Sequence, residues 1–268
     1  MPDPGRDDDT PTAVYERRVG ASAERVWENV RDWEHLPALH AAAFRAVRVE
    51  EEDAWGWRAR VESRRGGAPF TVELRIDDDG GGYHSRTVAG PGTGSDVYTR
   101  VLPVDDAHTD VRVSFLAPGL PASQRAGYGR AMVRLYTRLW DEDEAMMQHR
   151  QAFLDGSAAP VARRTGARVR LGPADALRAT LPALFDVDGD PYRVVATARG
   201  LAAHTAVCPH WGASLADAAI ERGAVVCPWH GYRYDLESGR GPAGQACRLL
   251  VRAAVEIDGA GVAWLLTR

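Results

Sequence analysis

A chain of 268 residues has room for two small domains, each with a core. An apolar share of 45% is that of a globular protein, and a formal net charge of −4 without any large basic block argues against nucleic acid as a main partner. Three cysteines exclude a disulfide framework and make a reducing cytoplasm the expected compartment, and no apolar run approaches membrane-spanning length. Every basic side chain is Arg rather than Lys, which, with abundant Ala and Gly, is the usage of a GC-rich bacterial genome.

Residues 1–12, rich in Pro and Asp, read as a disordered acidic tail rather than a signal peptide. AVYERRVG then alternates as a strand does, and Ser22 stands as N-cap before the helical stretch ERVWENVRDW. Six alternating segments come next: FRAVRVE, WGWRARVES, FTVELRIDD, YHSRTVAG, DVYTRVLPV and TDVRVSFLA. Gly, Asp and Pro separate them, the pattern of an antiparallel meander. Beyond Pro121 the periodicity predicts a long amphipathic helix over 122–154, with Met132, Leu135, Leu139 and Met146 near one stripe. Residues 156–167 read as a linker, and from Arg168 short strands resume.

Two regions carry residues with metal chemistry. The first runs Glu28-Asn29-Val30-Arg31-Asp32-Trp33-Glu34-His35-Leu36-Pro37-Ala38-Leu39-His40. Side chains five apart sit ~140° from each other on an ideal helix, too far for one metal. Pro37 is expected to break the helix and push Leu36 out of the α region, so that His35 and His40 converge across the break. The long helix adds Asp141-Glu142-Asp143-Glu144, and then His149, which reads as a surface residue. The second region holds Cys208-Pro-His210 and Cys227-Pro-Trp-His230, with 16 residues between the pairs. Zinc sites tend to show Cys-x2-Cys or His-x3–5-His pairs. Mixed Cys/His pairs of unequal spacing suit a [2Fe–2S] cluster with two thiolates on one iron and two imidazoles on the other; zinc is the alternative. Gly212 and Gly231 would let the two loops close over the cluster. Cys247 reads as an ordinary core thiol.

The order strand, helices, six strands, long helix resembles the START/Bet v 1-like helix-grip fold, in which a curved sheet wraps the long helix and leaves a cavity between them. CPHWGASL and CPWHGYRYDLESG resemble the two boxes of Rieske proteins over nearly their whole length. Asn29-x2-Asp32-x2-His35-x4-His40 resembles, residue for residue, the iron-binding helix of Rieske non-haem iron oxygenases. The expected class is α+β: a disordered tail at 1–12, a helix-grip catalytic domain at 13–155, a linker at 156–167 and an all-β Rieske domain at 168–268. The resemblance implies Cys208 and Cys227 on one iron of the cluster and His210 and His230 on the other. It also implies a mononuclear Fe(II) on His35, His40 and Asp143, with Asp141 and Glu144 as alternatives for the last, and Asp32 linking the two sites.

The same resemblance implies an oxygenase that acts on a small organic molecule with O2. Monohydroxylation is the foremost outcome, and N-oxygenation of an amine is among the others. Electrons from NAD(P)H would come through a separate ferredoxin or reductase, because no dinucleotide Gly motif or plant-type cysteine pattern is present. The assembly implied is a head-to-tail homotrimer. The family's usual order, Rieske domain first, is reversed here. High-potential Rieske proteins carry an extra disulfide and a Ser where Tyr232 stands, so fewer hydrogen bonds to the cluster and a lower potential are expected. Trp211 stands where oxygenases usually carry Arg. Metal-free helix-grip proteins often carry a similar Trp/Asp pattern in this helix. The competing reading is therefore an electron-transfer or redox-sensing Rieske module fused to a non-catalytic binding domain. Candidate pocket residues are Trp57, Phe70, Tyr83, Tyr98, Phe115, Met132 and Tyr136.

Overall fold

The computed structural model describes residues 10–156, 166, 168–187, 189–243, 247–249 and 253–267. Of the tail expected at 1–12 and the linker expected at 156–167, all but residues 10–12, 156 and 166 lie outside the described residues. The chain divides into two compact units, Met1–Gln148 and His149–Arg268. Among the described residues no helix is long and apolar enough to cross a membrane.

The first unit is built on seven strands: β1 (Ala13–Val19), β2 (Phe44–Asp53), β3 (Gly56–Ser63), β4 (Phe70–Ile76), β5 (Gly82–Ala89), β6 (Asp96–Pro103) and β7 (Thr109–Leu116). They form one antiparallel sheet in the order β1-β7-β6-β5-β4-β3-β2. Period-two alternation sets which face is covered: Thr109, Val111, Val113 and Phe115 of β7 are buried, as are Trp57, Ala59 and Val61 of β3. The β2–β3 turn ends on Gly56 at φ +131, where a Cβ would lie 2.0 Å from the Leu74 carbonyl oxygen, so only glycine fits.

The helices lie between β1 and β2 and after β7. Helix α1 (Ala23–Arg31) starts at Ser22, whose Oγ accepts from Arg25 N at 3.3 Å. A 3-10 turn (Trp33–His35) and the short α2 (Leu36–Leu39) come next, and α3 (Ala122–Leu154) comes last, most of it in this unit. Val26 and Val30 of α1 and Trp140 and Met147 of α3 pack with Trp57, Val61 and Leu74 of the sheet in one core. Trp57 Nε1 also donates to Val30 O at 3.3 Å, tying α1 to β3. A sheet packed on one long helix in this order is the helix-grip fold.

The helix breaks in a different place from the one that Pro37 suggests. Leu36 remains helical (φ −51, ψ −48) and Pro37 occupies the first turn of α2, where its missing N–H costs nothing. The break is at Asp32 (φ −85, ψ 87), whose side chain caps the 3-10 turn by accepting from Glu34 N at 3.2 Å.

In the second unit a six-stranded antiparallel sheet joins β8 (Arg168–Pro173), β16 (Val262–Thr267), β15 (Ala253–Ile257), β11 (Gly200–Thr205), β10 (Asp190–Thr197) and β9 (Ala183–Val187), in that order. A smaller sheet joins β12 (Ile220–Glu221), β13 (Ala224–Val226) and β14 (Arg233–Asp235). Among the described residues beyond α3, one six-residue helix, α4 (Ala174–Ala179), accompanies the strands. Its core is separate, formed by Leu177, Tyr192, Val194, Ala203 and Leu265 with their neighbours.

Candidate metal centres

In the first unit, His35 ends the 3-10 turn, His40 caps α2 and Asp143 faces inward from α3. All three are buried, and one potential ligand atom from each lies within 4.8 Å of the others. His35 Nε2 is 3.4 Å and His40 Nε2 3.1 Å from Asp143 Oδ1, which also accepts from Asn29 Nδ2 at 3.1 Å. Each ring is held from its other side by a carboxylate. Asp32 Oδ2 lies 3.3 Å from His35 Nδ1, and Glu142 Oε2 lies 2.6 Å from His40 Nδ1. An Nδ1–H donated to a carboxylate leaves Nε2 as the ligand atom, the usual second layer of a histidine metal site.

Burial opposes the charge on His35, but its hydrogen bonds to Asp143 and Asp32 outweigh this and push its pKa up to about 9. Burial likewise opposes the charge on Asp143, yet the bonds from His35 and His40 hold its carboxyl well below the usual range. Three carboxylates around two imidazoles make a negative pocket of hard and borderline donors, which fits a divalent cation with a 2-His-1-carboxylate set. Asp141 and Glu144, the alternative third ligands, are engaged elsewhere: both pair with Arg17, and Glu144 Oε1 also accepts from Gly20 N at 2.7 Å.

The triad lies in the wall of a cavity of about 410 Å3 between the sheet and α3. Of the pocket residues expected from sequence, Trp57, Phe70, Tyr83, Met132 and Tyr136 line it. Tyr98 and Phe115 do not. Tyr98 alternates to the other face of β6, where it stacks on His84 at 4.4 Å, and Phe115 is wholly buried against Tyr136.

In the second unit the two Cys/His loops are built alike. Cys208 N donates to Ala213 O at 2.8 Å and Gly212 N to Cys208 O at 3.0 Å. Cys227 N donates to Tyr232 O at 2.8 Å and Gly231 N to Cys227 O at 2.9 Å. Both glycines are left-handed, at φ +86 and +67. The loops Cys-Pro-His-Trp-Gly and Cys-Pro-Trp-His-Gly thus share one length and one closure with His and Trp exchanged, which accounts for the unequal spacing.

Both sulfurs are buried. The hydrogen bond from Cys227 draws the Cys208 thiol down to about 6 against the cost of burial, with help from Tyr234, and the same contact pushes Cys227 up. The His210 and His230 ring centroids are 4.6 Å apart. Trp211 (5.7 Å) and Tyr232 (4.8 Å) each stack on the ring of His210. Two buried, hydrogen-bonded thiols with two adjacent imidazoles from the same loops form the donor set that a [2Fe–2S] cluster of the Rieske type requires.

Sequence reasoning missed three partners. Glu142 is one. Tyr234 is another: its hydroxyl lies 3.5 Å from Cys208 Sγ and 3.4 Å from Cys247 Sγ, so Cys208 has a hydrogen bond that the expectation of a low potential left out, and Cys247 is not a plain core thiol. The third is His149, expected at the surface but half-buried, with Nε2 2.9 Å from Gly212 O and its ring edge-on to Trp229. A buried tyrosine needs a partner for its hydroxyl, and that was the available signal for Tyr234.

Residues 167–250 match the model of the Rieske [2Fe-2S] domain. No curated protein sequence matches the chain. Among solved structures, the chain is similar to the ferredoxin of carbazole 1,9a-dioxygenase from Nocardioides aromaticivorans IC177, with 27% identity over 39% of this chain and 100% of that one, at a TM-score of 0.31. It is also similar to the ZhuI aromatase/cyclase from Streptomyces sp. R1128 (15% identity, 52% of this chain, 94% of that one, TM-score 0.39). A third is norcoclaurine synthase from Thalictrum flavum in complex with dopamine and hydroxybenzaldehyde (16%, 50% and 84%, TM-score 0.40). With the strand order and the domain match together, the chain joins a helix-grip domain to a Rieske [2Fe-2S] domain that comes after it.

Proposed function

We propose that the protein is a Rieske non-haem iron oxygenase that oxidises a small organic molecule in the helix-grip cavity, with O2 as oxidant and electrons from NAD(P)H delivered by a separate ferredoxin or reductase. The observation that carries this reading is the buried convergence of His35 Nε2, His40 Nε2 and Asp143 on the wall of that cavity, each imidazole backed by a carboxylate. A binding domain without catalysis has no use for such an arrangement, and burying these polar groups costs stability. In the preferred outcome, monohydroxylation, R–H + O2 + 2 e− + 2 H+ gives R–OH + H2O. N-oxygenation of an amine would obey the same electron count.

When bound, a mononuclear Fe(II) at the triad would activate O2, and the cluster on Cys208, His210, Cys227 and His230 would supply electrons one at a time. The protein's own part is to hold and exclude. Asp32 and Glu142 fix the tautomers and aim the two rings, and Asn29 holds the Asp143 carboxylate in place. The apolar lining keeps bulk water from the reacting carbon. Asp32, with one oxygen on His35 and the other capping the 3-10 turn, is the residue we assign to the link between the sites. A head-to-tail homotrimer, in which a cluster serves a neighbour's iron, is the assembly proposed with it.

Iron per chain after anaerobic reconstitution tests the reading. Three irons are expected; two would leave an electron carrier or redox sensor fused to a binding domain. Mixing His35→Ala with Cys227→Ser subunits tests the assembly, since regained activity requires transfer between chains.

A further inference from the structure

The cavity beside the triad is not uniformly apolar. Alternation along β5 puts Tyr83, Ser85 and Thr87 on its inward face, about 13 Å from first to last. Tyr83 and Asp143 line the same cavity. At the other end Thr87 Oγ1 accepts from Ser95 Oγ, just before β6, at 3.3 Å, and the Tyr128 hydroxyl of α3 lies near Ser95. Exposed Pro91 and Gly92, in the turn after β5, line the cavity at this end and mark its opening. A row of hydroxyls thus runs from the triad to the mouth. Apart from Asn29 and the polar residues of the triad end, the rest of the lining, with Phe44, Trp57, Phe70, Leu74, Leu139 and Trp140, is apolar or aromatic.

Charge is as informative. Among the described residues no Arg lines the cavity, and the chain contains no Lys. Among the described residues, acidic and histidine side chains occur there only as Asp32, His35, His40 and Asp143, at the triad end. Away from the triad an anion would give up its hydration with no cation opposite, and a cation would find carboxylates only where the triad stands.

We propose that the cavity takes an uncharged, elongated, largely apolar molecule that carries hydroxyl or carbonyl oxygens along one edge, and that this edge lies on the row Tyr83, Ser85, Thr87, Ser95 and Tyr128. Each of these hydroxyls can donate or accept, so the row selects oxygen-bearing edges without dictating which are hydroxyl and which carbonyl. A volume of about 410 Å3 suits one such molecule. That the ligand is the molecule oxidised rests on the oxygenase reading; that it binds does not.

Three fluorenes test the assignment: 2-hydroxyfluorene, fluorene and fluorene-2-carboxylate have the same rings and differ at one position. Each is titrated calorimetrically at pH 7 into the intact, reconstituted protein. The hydroxyl compound should bind most tightly and the carboxylate about 10-fold or more weakly than it, because an anion lying along the hydroxyl row lacks a cation there. Thr87→Val combined with Tyr128→Phe keeps the shapes and removes two hydroxyls. It should weaken 2-hydroxyfluorene about 5-fold or more, with the melting temperature as the control for folding. Ser85→Ala tests the same row should the double variant not fold. The proposal is overturned if the carboxylate binds as tightly as the hydroxyl compound, if none of the three binds, or if folded variants bind 2-hydroxyfluorene as the unmodified chain does. A chain with only two irons that still ranks the ligands in this order would keep the ligand class and lose the oxygenase.

Discussion

The imidazole pair of the first unit and that of the second have nearly the same geometry and opposite support. His35 and His40 have ring centroids 5.1 Å apart at 76°; His210 and His230 are 4.6 Å apart at 76°. The first pair is steered by charge, with Asp32 and Glu142 on the two Nδ1 atoms. Around the second pair stand rings, Trp211 and Tyr232 stacked on His210 and Trp211 edge-on to His230. A site for a single exchangeable cation gains affinity from carboxylates that make its ligands more basic. A cluster anchored by two thiolates has its affinity already, and its histidines need orientation more than added charge.

Removing one ligand from each side tests whether the two sites are as separate as this contrast implies. Cys227→Ser should bleach the protein, taking visible absorbance to baseline and iron from three per chain to one, while the first unit keeps its fold on its own core. His35→Ala should stop product formation while absorbance and reducibility of the cluster persist and iron falls to two. Loss of both metals from either variant would show that the sites depend on each other.

Without metal, the two units should weaken at opposite ends of the pH scale. In the second, buried His204 donates from Nδ1 to Thr205 O at 2.8 Å, and burial lowers its pKa from 6.5 to about 4. The unfolded chain takes up this proton first, so stability held above pH 6.5 is lost as pH falls toward 4, by about 3 kcal/mol at most. In the first, His35 is raised from 6.5 to about 9, so its contribution is whole below pH 6.5 and disappears as pH rises through 9. Thermal melts across this range would record both arms, and His204→Phe should flatten the acid arm alone.

Smaller changes probe each kind of support. Glu142→Gln keeps the size but removes the charge behind His40, and cobalt(II) affinity of the first unit should drop about 10- to 100-fold. An unchanged cobalt isotherm would mean that the carboxylate is a bystander. Tyr234→Phe removes a hydrogen bond to Cys208 and should lower the cluster potential by about 40 mV, equivalent to about 1 kcal/mol for one electron. Voltammetry that finds no shift would leave the tyrosine a packing role only.

The sheet was legible because each strand alternates without interruption and is bounded by Gly, Asp or Pro. Candidate residues were legible too, since Cys, His and Asp stand in compact motifs, and the structure brings His35, His40 and Asp143 together. What the sequence hid is what depends on distant segments. Pro37 looked like the breaker of the helix, but proline is at home in a first turn, and the bend falls at Asp32, whose side chain offers the backbone an alternative bond. Glu142 and Asp143 are neighbours in sequence yet turn toward different atoms of His40, one behind the ring and one before it. Tyr98 was indistinguishable from Tyr83 by type; only the strand phase puts one inside and the other out.

Helix α3 carries Tyr128 at the cavity's opening and Asp143 at the triad on one unbroken rod, about 22 Å apart along its axis. Adding or deleting one residue between them would swing Asp143 by about 100° away from the histidines, and adding seven would nearly restore the angle but displace it by about 10 Å. Length changes in this stretch should therefore be purged during divergence, since no size of insertion leaves both ends in place. The turn at Gly90–Gly94 is under no such rule, for it is exposed and stands outside the sheet's pairing. Descendants of this gene that come to accept longer molecules should differ in length there and keep the span from Tyr128 to Asp143 fixed.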